Sequence, residues 1–569
     1  MMVKNIVILL FAMMLSFAND VRIYTTTIDY LDYAFYDRIG SPEYYELECY
    51  ERRIRELAEG GIRQINLRTN CMGVALYPSK ILRPYGEDGR WHYSEPVASK
   101  RLIETLKHYD PVAETIRLGH KYGMQVWCWD NICDEIGLGQ TLEMEIPAEY
   151  RELCRRRKGY PLADDFFLDH PECWARRKSL SKAKKTTAHQ GPVAKLRLTS
   201  NVANRPAINF EKAQLAIFCS DDNNSWQPYE KEFSFRSGRT PEGRNYIEID
   251  GLEITSQYIK IAPAKAFDAT HAFSFVVKGQ SYGEIFNRKG ERLEGTWGCR
   301  IPGQGGNLPE NAVALADDYL LHSSLDLENV PEMAFDYRLR QLGCRVGKHT
   351  EAEVFVGMIE FCHPLAKKRK LDRFAELASY PFDGYLLTMN CHISHSEPDS
   401  YSFNPAVRER ILRKTGKDIF REDFPLELLL KERQEGLSEY IEGCKQAIGK
   451  RPLYVEGWGP GYGKGGMYHR ENFGSIYPDY PRLIQNNVID GVVMWHDFSG
   501  YFTSTVTGGR KIPLGFYIGL SEVKSMADSL KSLDKFPDVK LVDFYESLLF
   551  ASHPEWLKEL RQQQPRIQN

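Results

Sequence analysis

Eight short β-type runs separated by helical patterns constrain this chain more than any other feature. Arg22–Ile28 (RIYTTTI), Ile62–Leu67 (IRQINL) and Gln125–Trp129 (QVWCW) come first. Between them lie Pro42–Gly60, with Ser41 as its expected N-cap and Gly60-Gly61 as its stop, and Asp110–Tyr122, with a cap residue, Pro at N1 and Gly123 at its end. The rhythm returns near residue 350 with strands at Phe382–Met389, Pro452–Glu456, Gly491–Trp495, Ile512–Ile518 and Val539–Tyr545. Helical segments accompany them at Pro364–Ser379, Pro405–Thr415, Leu426–Ile448, Tyr480–Asn487, Ser521–Leu533 (capped by Ser521) and Pro554–Arg561. Strands alternating with helices over short joints pair in parallel. Three such strands before a break and five after it predict an α/β fold, a (β/α)8 TIM barrel interrupted after strand three.

The interruption has its own signature. From about residue 193 to 280 the apolar period becomes two, in KLRLTS, AQLAIFCS, NYIEIDG, QYIKIAP and AFSFVVKG, with turn residues between the runs. That predicts an all-β sandwich over 191–285; the Gly- and Asn-rich stretch after it, assigned as a connecting segment over 286–350, reads as a long loop or as further strands of the insert. The barrel then occupies 19–190 and 351–569. Residues 1–18 read as a signal peptide, with Lys4, the apolar run Ile6–Leu15 and small residues at Ser16 and Ala18, so the protein is expected to be exported.

Composition narrows the function classes. Lys and Arg number 74 against 77 Asp and Glu, a formal net charge of −3, which gives no electrostatic reason to expect nucleic acid as a partner. No stretch after the leader reaches the length a membrane span needs. The 12 cysteines are scattered, without zinc or redox spacing, and are expected to be mostly buried free thiols. Nothing calls for a cofactor.

In such a barrel the chemistry sits where strands end and βα loops begin. Those positions hold Asp29; Arg68 and Asn70; Trp129, Asp130 and Asp134-Glu135; Asn390, His392, His395 and Glu397; Glu456 and Trp458; Trp495, His496 and Asp497; Tyr517; and Glu546. Carboxylates, histidines and indoles on one rim suit glycoside hydrolysis, in which one carboxyl protonates the leaving oxygen and another attacks or activates water. Glu456 is followed by glycines, and Asp497 by FSGYF, so neither position reads as a helix cap. They form the expected catalytic pair, with Asp130 and Glu546 in reserve, although a strand-end carboxylate also serves to cap a following helix. Arg68, Asn70, Trp129, Asn390, His392, Trp458, Trp495 and His496 are expected to hold a carbohydrate substrate. His392 and His395 lack a third metal ligand at diagnostic spacing, so no metal is assigned. Gly457–Gly466 lacks the features of a phosphate loop and reads as a loop at the site, and Lys367-Lys368-Arg369-Lys370 as a solvated helix face.

The segments HPLAKKRKLDRFAELASYPFDGYLL (363–387) and PDSYSFNPAVRERILRKTGKDI (398–419) resemble the glycosyl-hydrolase-like family 10 group. Asp383-Gly384, Phe403-Asn404-Pro405 and Gly416-Lys417-Asp418-Ile419 carry the likeness, which implies a TIM barrel acting on polysaccharide. The chain departs from its relatives at Thr388, where they often carry an acid, and strand seven ends without the nucleophile of the large retaining clan. A non-catalytic glycan-binding barrel is therefore the alternative, with a metal-dependent hydrolase using the histidines as a third reading. LAIFCSDDNNSW (215–226) and YIKI (258–261) make the inserted segment similar to discoidin-like carbohydrate-binding sandwiches.

Overall fold

The computed structural model describes residues 22–30, 46–87, 96–135, 163–176, 192–203, 212, 215–220, 227–256, 258–263, 281–293, 296–298, 344–347, 354–389, 403–419, 425–457, 478–495, 499–502, 510 and 512–563. Residues 1–18, read from sequence as a signal peptide, lie outside them, and so do Ser41 and residues 458–466.

Eight parallel strands close into a barrel in chain order. They are β1 (Ile23–Ile28), β2 (Gln64–Arg68), β3 (Gln125–Asn131), β4 (Gly384–Thr388), β5 (Leu453–Glu456), β6 (Gly491–Met494), β7 (Leu514–Gly519) and β8 (Val539–Tyr545). Closure is made by β1 against β8, with Thr25 opposite Asp543. The helices that pack outside include α1 (Leu47–Glu59), α2 (Pro96–His108), α3 (Pro111–Lys121), α4 (Pro364–Ala378), α5 (Pro405–Thr415), α6 (Leu426–Ile448), α7 (Tyr480–Gln485), α8 (Met526–Ser532) and α9 (Pro554–Gln563).

Local chemistry sets the helix ends. Asp110 accepts from Val112 N at 2.9 Å and Ala113 N at 3.3 Å, capping α3 just before Pro111. Asn404 caps α5 by accepting from Ala406 N at 2.9 Å, and Gly416, at φ +72°, ends it in the left-handed conformation. Two expected starts are corrected. Helix α1 begins at Leu47 after an extended Glu46. Helix α8 begins at Met526 because the Ser525 hydroxyl, not that of Ser521, accepts from Asp528 N at 3.2 Å.

The interruption lies between β3 and β4. It contains two five-stranded antiparallel sheets, one ordered Ser234–Arg239, Arg244–Ile254, Val193–Ala203, Ser281–Phe286, Arg292–Leu293 and the other Thr296–Gly298, Cys344–Gly347, Tyr258–Pro263, Leu215–Ser220, Gln227–Pro228. Leu196, Ile247, Ile249 and Ile285 are buried in the first sheet, and Ile217 and Ile259 in the second. The expected boundary at 285 is corrected, because strands as far as Gly347 complete these sheets. The chain leaves and rejoins the barrel along a two-stranded ladder, in which Trp174–Arg176 pairs antiparallel with Val354–Ile359. The Asn404 amide ties this ladder to α5 by donating to the carbonyls of Glu172 at 2.9 Å and Trp174 at 2.8 Å.

The basic run on α4 is not a solvated face. Lys370 is buried against Glu135, Arg369 pairs with Asp164 at 2.9 Å, and Lys367 reaches Glu439 on α6. Among these four only Lys368 is mostly exposed, beside Asp372.

Inside the barrel, side chains stack in tiers. Trp127 and Tyr454 meet there edge to face at 4.8 Å. Glycine makes room for both rings. A Cβ on Gly384 would lie 2.5 Å from the Trp127 indole, and one on Gly491 would lie 2.6 Å from the Tyr454 ring. Gly384→Ala is therefore expected to lose about 1–3 kcal/mol by overpacking. Urea unfolding checks this, and an unchanged midpoint would contradict it.

Candidate functional site

Period-two alternation decides what faces the lumen. Thr25 and Thr27 of β1 and Asn66 of β2 converge on Asp543 of β8. Thr25 Oγ1 lies 2.7 Å and Thr27 Oγ1 2.8 Å from its carboxylate, and the Asn66 amide also donates to it. Burial raises the Asp543 carboxyl above its ordinary range, and these hydrogen bonds offset part of the rise. Sequence reading passed over Asp543, although alternation with Tyr545 places it inward.

Arg68, Trp129, Glu456, Trp495, Tyr517 and Tyr545 lie at or near the C-terminal ends of their strands. Trp129, Tyr517 and Val493 share a buried cluster against which Tyr454, Trp495 and Tyr545 pack. Trp495 stacks on Tyr517, with centroids 4.4 Å apart and planes at 15°, and meets Tyr545 edge-on at 5.1 Å. Trp129 Nε1 donates to Tyr517 Oη at 3.3 Å, and the Arg68 guanidinium lies 5.1 Å over the Trp129 ring. Glu456 follows Tyr454 by two residues and pairs in register with Val493, so it takes the lumen side at the end of β5. Its carboxylate accepts from Met389 N at 2.6 Å, and its own carbonyl accepts from Tyr480 Oη at 2.6 Å. The strand end and the side chain are therefore both anchored, and the residue is buried.

Other expected site residues are placed differently. Asp130 is corrected. It follows the inward Trp129 and so points outward, into the helix layer, where Arg373 Nη2 of α4 donates to both of its oxygens at 2.6 Å. Burial disfavours the Arg373 charge, yet Asp130 and Glu135 outweigh burial and raise it above the ordinary guanidinium range. Arg68 and Asn70 both make hydrogen bonds within the protein. Arg68 bonds Asp29, Asp134 at 2.7 Å and the Asn70 carbonyl at 2.9 Å. The Asn70 amide donates to the Asn131 carbonyl at 3.0 Å and accepts from Asn131 N at 3.2 Å. Both tie the end of β2 to the end of β3. Glu546 is half-buried just past β8 at φ +68°, a conformation rare outside glycine. It caps no helix, since Leu548 occupies the N-cap position of the next one. Asn390, His392, His395, Glu397, Trp458, His496 and Asp497 lie outside the described residues.

No family model matches the chain. No curated protein matches it in sequence. Among solved structures, it is similar to the catalytic domain of β-amylase from Paenibacillus polymyxa, with a TM-score of 0.32 and 8% identity over 92% of each chain. Among the described residues, no helix is long and apolar enough to cross a membrane.

Proposed function

We propose that the protein is an exported glycoside hydrolase whose site is the C-terminal mouth of the barrel, with Glu456 as one reacting carboxyl and Asp497 as the second. One observation carries this reading: Glu456 ends a barrel strand on the lumen side, beside Trp129, Tyr517 and Trp495. Nearby acids are tied to cations, Asp29 and Asp134 by Arg68, Asp130 by Arg373 and Glu135 by Lys370. The Glu456 carboxylate accepts from a main-chain N–H, that of Met389. A carboxyl held by the main chain of the neighbouring strand beside an aromatic wall suits general acid or nucleophile chemistry at an anomeric carbon. Trp495, half-buried at the mouth, supplies a flat face for a sugar ring. The inserted sheets and the likeness to the family 10 group are consistent with a polysaccharide as the natural substrate.

Thr388, which adjoins Glu456 at the ends of β4 and β5, and the absence of an acid at the end of β7 favour a second reading, a glycan-binding barrel without turnover. A panel of polysaccharides and 4-nitrophenyl glycosides separates the two. Release of reducing ends or nitrophenol supports the hydrolase, and saturable binding without release supports the binding protein. Neither outcome on any sugar would overturn both.

A further inference from the structure

Strand β7 brings no carboxylate to the mouth, yet it brings a phenol held by two partners. Tyr517 is 5% exposed. Its ring is held face to face by Trp495, and its oxygen is located by the hydrogen bond from Trp129 Nε1. Having accepted that bond, Oη still carries its own proton, for which the described residues provide no hydrogen-bond acceptor. The Asp543 oxygens accept from Thr25, Thr27 and Asn66, and none of these bonds involves Tyr517. Burial, then the charges of Glu456 and Asp543, push the phenol well above its ordinary range, so it stays protonated through neutral pH. A buried donor left unsatisfied is costly, and a ligand oxygen that meets it recovers that cost.

We propose that the Tyr517 hydroxyl donates a hydrogen bond to an oxygen of the sugar bound beside Glu456, fixing how that sugar is presented for cleavage. The proposal rests on the glycosidase reading and deepens it. It places a substrate-binding donor on the strand that lacks a carboxylate, and it gives the Trp129–Tyr517–Trp495 stack a purpose beyond filling the lumen.

The test compares wild type with Tyr517→Phe on 4-nitrophenyl glycosides. If the bond strengthens in the transition state, kcat should fall roughly 10²-fold while KM changes by less than about threefold. The thermal midpoint should fall only modestly, because the change removes the unmet phenol proton but also leaves the buried Trp129 Nε1 without its acceptor. A kcat and KM equal to wild type would overturn the proposal. If Tyr517→Phe does not fold, 3-fluorotyrosine incorporated at position 517 keeps the shape and changes the acidity of the proton. Its kcat must then differ from wild type, and identical kinetics would overturn the proposal. Full activity in Glu456→Gln together with loss in Tyr517→Phe would remove Glu456 from the reaction and leave Tyr517 in place. If wild type binds the glycosides without cleaving them, the hydrolase reading fails on its own. Tyr517→Phe should then bind about tenfold more weakly, the size of one hydrogen bond, and equal Kd values would overturn the Tyr517 proposal.

Discussion

Glu456→Gln is expected to lose turnover by roughly 10²–10⁴-fold while its thermal midpoint stays near that of wild type. The rate estimate follows from what the amide removes. Gln neither gives up a proton to a leaving oxygen nor attacks an anomeric carbon. The stability estimate follows from what the amide keeps. The carboxylate's bond from Met389 N needs only a carbonyl-type acceptor, which Gln retains, and the Tyr480 contact is to the main chain. A stable, binding-competent, inactive variant is thus the signature of a catalytic role. Steady-state kinetics together with calorimetry read both halves. A variant that unfolds at lower temperature but keeps its kcat would make Glu456 structural.

The second large effect is on stability and lies outside the lumen. Arg373→Met should cost about 3–5 kcal/mol, because it strands the Asp130 charge in the layer between β3 and α4. Asp130 is fully buried, and both of its oxygens are served by the guanidinium alone among the described contacts. The converse change, Asp130→Asn, leaves a buried guanidinium whose Nε and Nη1 already lack acceptors among the described residues. The double variant Asp130→Asn/Arg373→Met should be more stable than Arg373→Met alone, since neither charge of this pair is left buried without the other. Denaturant titration of the three proteins forms the cycle. Additive losses would show that the pair is not a coupled ion pair.

These two expectations also mark what was legible in the sequence. The barrel was, because each strand is a compact apolar run between helical periods, and the break after β3 changes period from 3.6 to two. Glu456 was legible because glycines, not a helix, follow it. The outward direction of Asp130 was legible as well. In QVWCWDN the indoles alternate inward, so Cys128 and Asp130 must face the helices. Its partner could not be read from sequence, since Arg373 lies 243 positions away across the insertion. The basic run on α4 misled because charge density resembles a wet surface, whereas Lys370 and Arg369 reach acids on the β3 side of the fold. The far end of the insertion was hidden by strands of two to four residues, too short to show a period. Tyr517 drew little attention because a phenol at a strand end has no motif; only the stack on Trp495 and the bond from Trp129 single it out.

The most direct measurement uses a bromoacetyl glycosylamine, a sugar whose electrophile alkylates a carboxylate beside the bound ring. After labelling, peptide mapping should place the adduct on Glu456, and excess free sugar should prevent it. Labelling confined to acids elsewhere in the chain, with Glu456 unmodified and free sugar without effect, would contradict the account.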